Sequence, residues 1–84
     1  MYDIFVEQRA ERDLKALSAE EFHRIIAAIQ ALAGSPRPSG CRKISGSKSD
    51  WRIRVGSYRV IYEIDDKARA IRVMRVRPRR DVYR

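Results

Sequence analysis

Fourteen residues constrain the fold of this chain more than any others: WRIRVGSYRVIYEI, Trp51 to Ile64. Gly56-Ser57 is a permitted two-residue hairpin loop, and β-forming residues flank it on both sides. With that loop, Val55 faces Tyr58, Arg54 faces Arg59, Ile53 faces Val60 and Trp51 faces Tyr62. One face of the hairpin then carries Trp51, Ile53, Val55, Tyr58, Val60 and Tyr62, a continuous apolar surface, and the other carries Arg52, Arg54, Arg59, Ile61 and Glu63. A slip of one residue would turn each strand inside out, so the agreement of both strands on one register is strong evidence for it. That register opposes like charges, which destabilises an antiparallel pair. Arginines splayed into solvent are one reading of such a face. An anion site is the stronger one, because each guanidinium is a rigid fork of donors that matches phosphate oxygens.

The flanking segments supply what the hairpin packs against. YDIFV, Tyr2 to Val6, alternates partially and reads as a first strand. In QRAERDLKAL, Ala10, Leu14 and Leu17 fall at helical spacing and predict a short helix. Ser18 opens S-A-E-E, the capping-box pattern, and Phe22, Ile25, Ile26, Ile29, Leu32 and Ala33 then recur every three or four residues. Gly34 and Pro36 end this second, amphipathic helix. The two helices form an antiparallel hairpin that can cover one face of a sheet. SPRPSGCRK is a loop, followed by a brief extended piece around Lys43 to Ser45 and a turn at GSKSD. Beyond the central hairpin, Asp65 to Ala68 turns the chain, and Arg69 to Val76 reads as a strand. Pro78 argues against that strand continuing in the middle of a sheet. The expected fold is α+β: an N-terminal strand, a helical hairpin, then an antiparallel sheet of about three strands.

With 84 residues the chain has room for a single domain and one modest core. It is 44% hydrophobic and 36% charged, which fits a globular domain rather than a disordered one. No apolar run approaches the roughly 20 residues of a membrane span, and the N-terminus lacks a secretory signal pattern. Cys41 is alone, which leaves no internal disulfide and makes a reducing cytoplasm the simplest compartment. The net charge of +8 is unevenly spread: residues 1–33 carry four basic and six acidic side chains, residues 34–84 fifteen basic and five acidic. The second part, at +10, favours nucleic acid, an anionic surface or an acidic protein partner.

Other chemistry finds little support. No His, Cys or carboxylate cluster has metal-ligand spacing, and neither a P-loop nor a dinucleotide fingerprint occurs, so no cofactor is expected. Ser45, Ser47, Ser49 and Ser57 lack a neighbouring histidine. His23 sits near the start of the capped helix, far in sequence from the basic strands. In the tail, Arg79 and Arg80 could reach the side of the hairpin arginines if the last strand lies beside Tyr58–Ile64. Tyr83 could stack on a base or anchor a loose terminus.

RKISGSKSDWRIRVGSYRVIYEI followed by MRVRPRRDVYR resembles the RelE branch of the RelE/ParE toxin superfamily, and the similarity runs over essentially the whole chain. The resemblance implies a ribosome-dependent endoribonuclease that cuts messenger RNA in the ribosomal A site and so inhibits translation. It implies a cognate acidic, RelB-like antitoxin, contact with operator DNA only through the antitoxin complex, and no membrane. Carried over by position, the family's catalytic set falls on Arg52, Arg54, Arg59, Arg79 and Tyr83, with Arg80 a rival for the tail arginine. Lys43, Lys48, Arg77, Arg80 and Arg84 are the basic residues expected to contact RNA. The implied reaction is metal-free attack of a ribose 2′-hydroxyl on its own phosphate. The general base stays open, since arginine holds its proton to a pKa above about 12. A ParE-like gyrase poison on the same fold and a non-catalytic nucleic-acid-binding module are the alternatives.

Overall fold

A computed structural model describes residues 1–78. The chain runs β1 (Asp3–Val6), α1 (Gln8–Lys15), α2 (Ala19–Ala31), β2 (Arg42–Lys43), β3 (Asp50–Val55), β4 (Tyr58–Asp65) and β5 (Ala70–Pro78). The strands form one five-stranded sheet in the order β1-β5-β4-β3-β2. Four strands, β2 to β5, pair antiparallel, where about three were expected of the C-terminal part. β1 adds to them at the far edge, parallel to β5, with Asp3 opposite Ala70 and Val6 opposite Val73. The helices make that parallel pairing possible, because a parallel neighbour needs a long crossover and α1 and α2 lie between the strands in sequence.

α2 begins as its sequence dictates. The Ser18 hydroxyl accepts a hydrogen bond from the Glu21 amide at 3.2 Å, and the Glu21 carboxylate accepts one from the Ser18 amide at 3.3 Å. This reciprocal pair satisfies two donors that helix geometry leaves without partners. Ile25, Ile29 and Leu32 are then buried against the sheet, together with Ala10 and Leu14 of α1. The facing surface is Ile53, Val60, Tyr62, Ile64, Ile71, Val73 and Val76, and Trp51, Val55 and Tyr58 pack against it from the periphery. The helices therefore cover one face and leave the other uncovered.

The hairpin register is the one read from the sequence: Val55–Tyr58, Arg54–Arg59, Ile53–Val60 and Trp51–Tyr62 are opposed pairs. Gly56 takes φ 61°, the left-handed conformation needed at the first position of a II′ turn. A Cβ at Gly56 would lie 3.0 Å from the Arg24 guanidinium of α2, so the helix crowds this turn as well.

β5 departs from the expectation in two ways. Its register slips between Ile61 and Tyr62: Tyr62 faces Val73, Ile61 faces Arg75, and Met74 is the extra residue of a β-bulge. Val73 and Val76, three apart, are both buried in the core because of it. The strand also runs on to Pro78, opposite Tyr58, two residues beyond the end expected. β1 pairs only as far as Val73. On the edge it leaves uncovered, the Val76 amide donates to Asp13 rather than to a strand. Pro78, two residues on, lies on that same edge, where its missing N–H removes no ladder hydrogen bond.

Candidate functional site

The face turned away from the helices is organised in rows by the strand register. In one row Arg59 of β4 stands between Arg54 of β3 and Arg77 of β5. In the next, Arg42 of β2 faces Arg52 of β3, followed by Ile61 and Arg75. A third row is mixed in sign: Glu63 of β4 lies between Asp50, a second acid, and Arg72, and its carboxylate is 3.5 Å from the Arg72 guanidinium. The acidic side chains of this face thus gather at one end of the sheet, where Arg72 meets Glu63, and the arginines at the other. Each directly opposed like pair costs stability, and the arginine rows make the face strongly attractive to an anion.

Arg59 is the centre of that cluster. It is only 7% exposed, against an exposed Arg54 and half-buried Arg52 and Arg77. Burying a guanidinium among others is unfavourable in a low-dielectric setting. The same low dielectric strengthens its attraction for an arriving anion. Two clefts adjoin the cluster. One, of about 490 Å³, is lined by Arg42, Lys43, Ile44, Ser45, Arg52, Arg59 and Ile61. The other, of about 360 Å³, is lined by Ser39, Gly40, Arg42, Arg52, Ile53 and Arg54. Arg42 and Arg52 border both.

The structure brings Arg52, Arg54, Arg59 and Arg77 onto this one face. Lys43 borders the larger cleft but sits opposite Trp51, a pleat away from Arg52. Lys48 is exposed in the β2–β3 connection and lines neither cleft. Arg79, Arg80, Tyr83 and Arg84 lie outside the described residues. His23 is exposed on α2, its ring edge-on to Phe22 at 5.9 Å, in the layer opposite the arginines. Among the described residues no group of three His, Cys, Asp or Glu side chains is arranged to hold a metal ion.

Two features escape the sequence reading. Arg42 falls in a stretch whose Pro and Gly content signals only a loop, and β2 is two residues long, too short for alternation to register. Arg77 joins the Arg59 row through the bulge at Met74; in an unbroken strand it would share a face with Ile71 and Val73. A signal existed for this one: Ile71 and Val73 keep odd positions, and Val76 breaks the phase.

Contacts at the rim hold the site's supports in place. Asp13 of α1 accepts 2.9 Å hydrogen bonds from Arg75 Nε and from the Val76 amide. Burial works against its charged form, but those two hydrogen bonds, with the positive charges of Arg75 and Arg77, outweigh it and hold the carboxyl below its usual range. At the other end, Arg37 donates to Asp66 at 2.8 Å and lies 5.1 Å over the Trp51 ring, and Tyr2 donates to Asp66 at 2.6 Å. The Arg37 and Tyr2 hydrogen bonds lower the Asp66 carboxyl. The Tyr62 hydroxyl donates to the Pro36 carbonyl at 2.8 Å. Together these tie the loop preceding Arg42 to the sheet.

The profile of the family described as ParE toxin of type II toxin-antitoxin system, parDE, matches residues 4–83. No curated relative matches the chain. Among solved structures, the archaeal RelE–RelB complex from Pyrococcus horikoshii OT3 superposes with a TM-score of 0.83 at 25% identity, over 93% of this chain and 94% of the other. The RelB–RelE antitoxin–toxin complex from Methanococcus jannaschii gives 0.77 at 26% identity over 94% of each. The intact E. coli RelBE toxin–antitoxin complex gives 0.81 at 21% identity, over 93% of this chain and 96% of the other, and supports the fold alone. No helix among the described residues is long and apolar enough to cross a membrane. With the family profile spanning nearly all of its length and RelE toxins sharing its fold, the chain belongs to the RelE/ParE superfamily of type II toxin–antitoxin toxins.

Proposed function

We propose that this toxin is an mRNA interferase that cuts messenger RNA in the ribosomal A site through the arginine face of its sheet. The observation that carries the reading is the row Arg54–Arg59–Arg77, with Arg52 beside it. A face that spends folding stability on converging guanidiniums is suited to a phosphodiester whose negative charge grows during reaction. In the proposed step the ribose 2′-oxygen attacks the adjacent phosphorus in line, forming a P–O2′ bond as the P–O5′ bond breaks. The 2′-hydroxyl loses its proton to solvent or a weak base, and the departing 5′-oxygen gains one. The products are a 2′,3′-cyclic phosphate and a 5′-hydroxyl. Arg52, Arg54, Arg59 and Arg79 stabilise the developing charge, each fixed donor contributing about 3–4 kcal/mol. Tyr83 stacks on the base and splays it toward in-line geometry, an orientation effect. Lys43, Lys48, Arg77, Arg80 and Arg84 contribute longer-range attraction to RNA.

No arginine is a competent general base, so positioning and electrostatics carry most of the acceleration. The same positive face accounts for neutralisation. A segment of net charge +10 attracts an acidic chain that folds over it, and solved relatives are complexes with RelB antitoxins. The place of action is the cytoplasm, where ribosomes translate.

A second reading has an observation in its favour: the matching family profile is described as a ParE toxin. A ParE-like gyrase poison would need no nuclease site, and the concentration of arginines argues against it. Induction of the toxin in cells separates the two. Fresh mRNA ends within translated codons, without DNA breaks, support the interferase; DNA breaks without such ends support the gyrase poison.

A further inference from the structure

The cleft between β2 and β4 contains a combination that neither the core nor the cluster of arginines explains. Ile44 and Ile61 are half-buried and line a depression whose other walls include Arg42, Arg52 and Arg59, with Lys43 and Ser45 beside them. Ile61 lies in the row Arg52–Ile61–Arg75, on the face opposite the hydrophobic core. Nothing in the packing of the helices calls for an apolar residue there. Arg42 is equally unexplained by the fold. A charge on a short edge strand protects the edge from unwanted pairing, but an acidic residue would do that and also pair favourably with Arg52. An arginine opposite an arginine does only the first.

We propose that this cleft is a nucleotide seat: the base rests against Ile44 and Ile61, and Arg42 with Arg52 grips the phosphate that follows. The cleft, at about 490 Å³, lies within the usual size of a small-ligand site. Its apolar floor suits the face of a base, and its rim of guanidiniums suits phosphate oxygens. Because Arg42 and Arg52 also border the second cleft, beside Ser39 and Gly40, they form a ridge over which the RNA continues to the next nucleotide. Arg42 is then a binding residue at the edge of the site, and Arg59 a residue shared between the seat and the reacting phosphate. An acidic peptide would satisfy the ridge but has less use for an apolar floor flanked by three arginines. The inference deepens the interferase reading and rests on it for the direction of the RNA, but the seat itself can be tested by binding alone.

The probe is a 2′-O-methyl RNA trinucleotide, which cannot be cleaved by 2′-attack, added to the full chain with methyl-labelled isoleucines. The methyl resonances of Ile44 and Ile61 should shift while those of Ile25 and Ile29 in the core stay in place. An abasic trimer should leave Ile44 and Ile61 unmoved. Arg42→Ala should weaken trinucleotide binding roughly tenfold and lower the slope of log affinity against log salt by about 0.7, with Arg42→Lys recovering much of both. In cleavage on programmed ribosomes, Arg42→Ala should raise the half-saturating toxin concentration by a larger factor than it lowers the rate at saturation, with Arg42→Lys recovering the first. Unmoved Ile44 and Ile61 resonances, or trinucleotide affinity insensitive to Arg42→Ala, would overturn the seat. Shifts produced by an acidic peptide and not by the trinucleotide would overturn it in favour of a protein-docking cleft. Trinucleotide binding at these residues in a protein that never cuts mRNA would sustain the seat and remove the interferase reading, so the two fail separately.

Discussion

Asp13 and Arg75, sixty-two residues apart, meet at 2.9 Å on the edge of β5 that β1 leaves uncovered. The same carboxylate accepts the Val76 amide, so α1 is pinned to the strand that carries Arg77 into the arginine row. Both side chains are well shielded, at 17% and 26% exposure. Asp13→Ala should therefore lower stability by about 1.5–3 kcal/mol, the range for hydrogen bonds to a charged group. The carboxyl is held below its ordinary value in the folded state. Its contribution is present above the unfolded value near 4 and is lost as pH falls through the folded one. Urea unfolding across pH should show the gap between wild type and Asp13→Asn closing in acid.

Arg59, at the centre of the arginine row, is the residue on which the proposed cleavage should depend most. Replacing it by methionine keeps volume in a nearly buried position and removes repulsion from Arg54 and Arg77 on either side. The expected Arg59→Met protein remains folded and loses at least about a hundredfold in cleavage. Thermal unfolding run beside the cleavage assay checks both halves.

The pH–rate profile should lack a sharp essential base near neutrality. Arginines do not titrate there, and His23, the single histidine, sits on the opposite layer. Single-turnover cleavage measured from pH 5.5 to 8.5 should follow a shallow curve, unchanged in His23→Gln. A steep limb abolished by that substitution would place a proton acceptor in a part of the molecule the proposed site does not use.

Tyr62 is fully buried, and its hydroxyl anchors the Pro36 carbonyl in the loop before Arg42. Tyr62→Phe should cost about 1 kcal/mol. Burial, reinforced by Cys41 beside it, pushes the hydroxyl pKa up. The contribution is complete below the unfolded value near 10 and is lost as pH rises through the folded one. Alkaline unfolding should thus converge for wild type and Tyr62→Phe above about pH 10.

The parts of this molecule that were legible share one property: a long enough repeat. Six apolar and five outward positions around Gly56-Ser57 fix the register, and the Ser18–Glu21 box with Ile25, Ile29 and Leu32 fixes α2. Arg42 was illegible because a two-residue strand has no period, and its partner Arg52 is ten residues away. The Arg77 position needed the bulge at Met74, a backbone irregularity that shows in the sequence only as Val76 falling out of phase. Asp13 is equally hard to read from sequence, since nothing local points to Arg75 sixty-two residues on. Pro78 misled for a related reason: the rule against proline holds for paired edges, and β1 ends too early to pair that one.

The most direct test of the account is a purified one. Ribosomes programmed with a defined message, paused with a known codon in the A site, are incubated with the toxin and the RNA ends are characterised. The account predicts a cut within that codon, a 2′,3′-cyclic phosphate on the upstream fragment, and loss of cutting in Arg59→Ala with its fold intact. An uncut message with wild-type protein that is folded and still toxic in cells would contradict it.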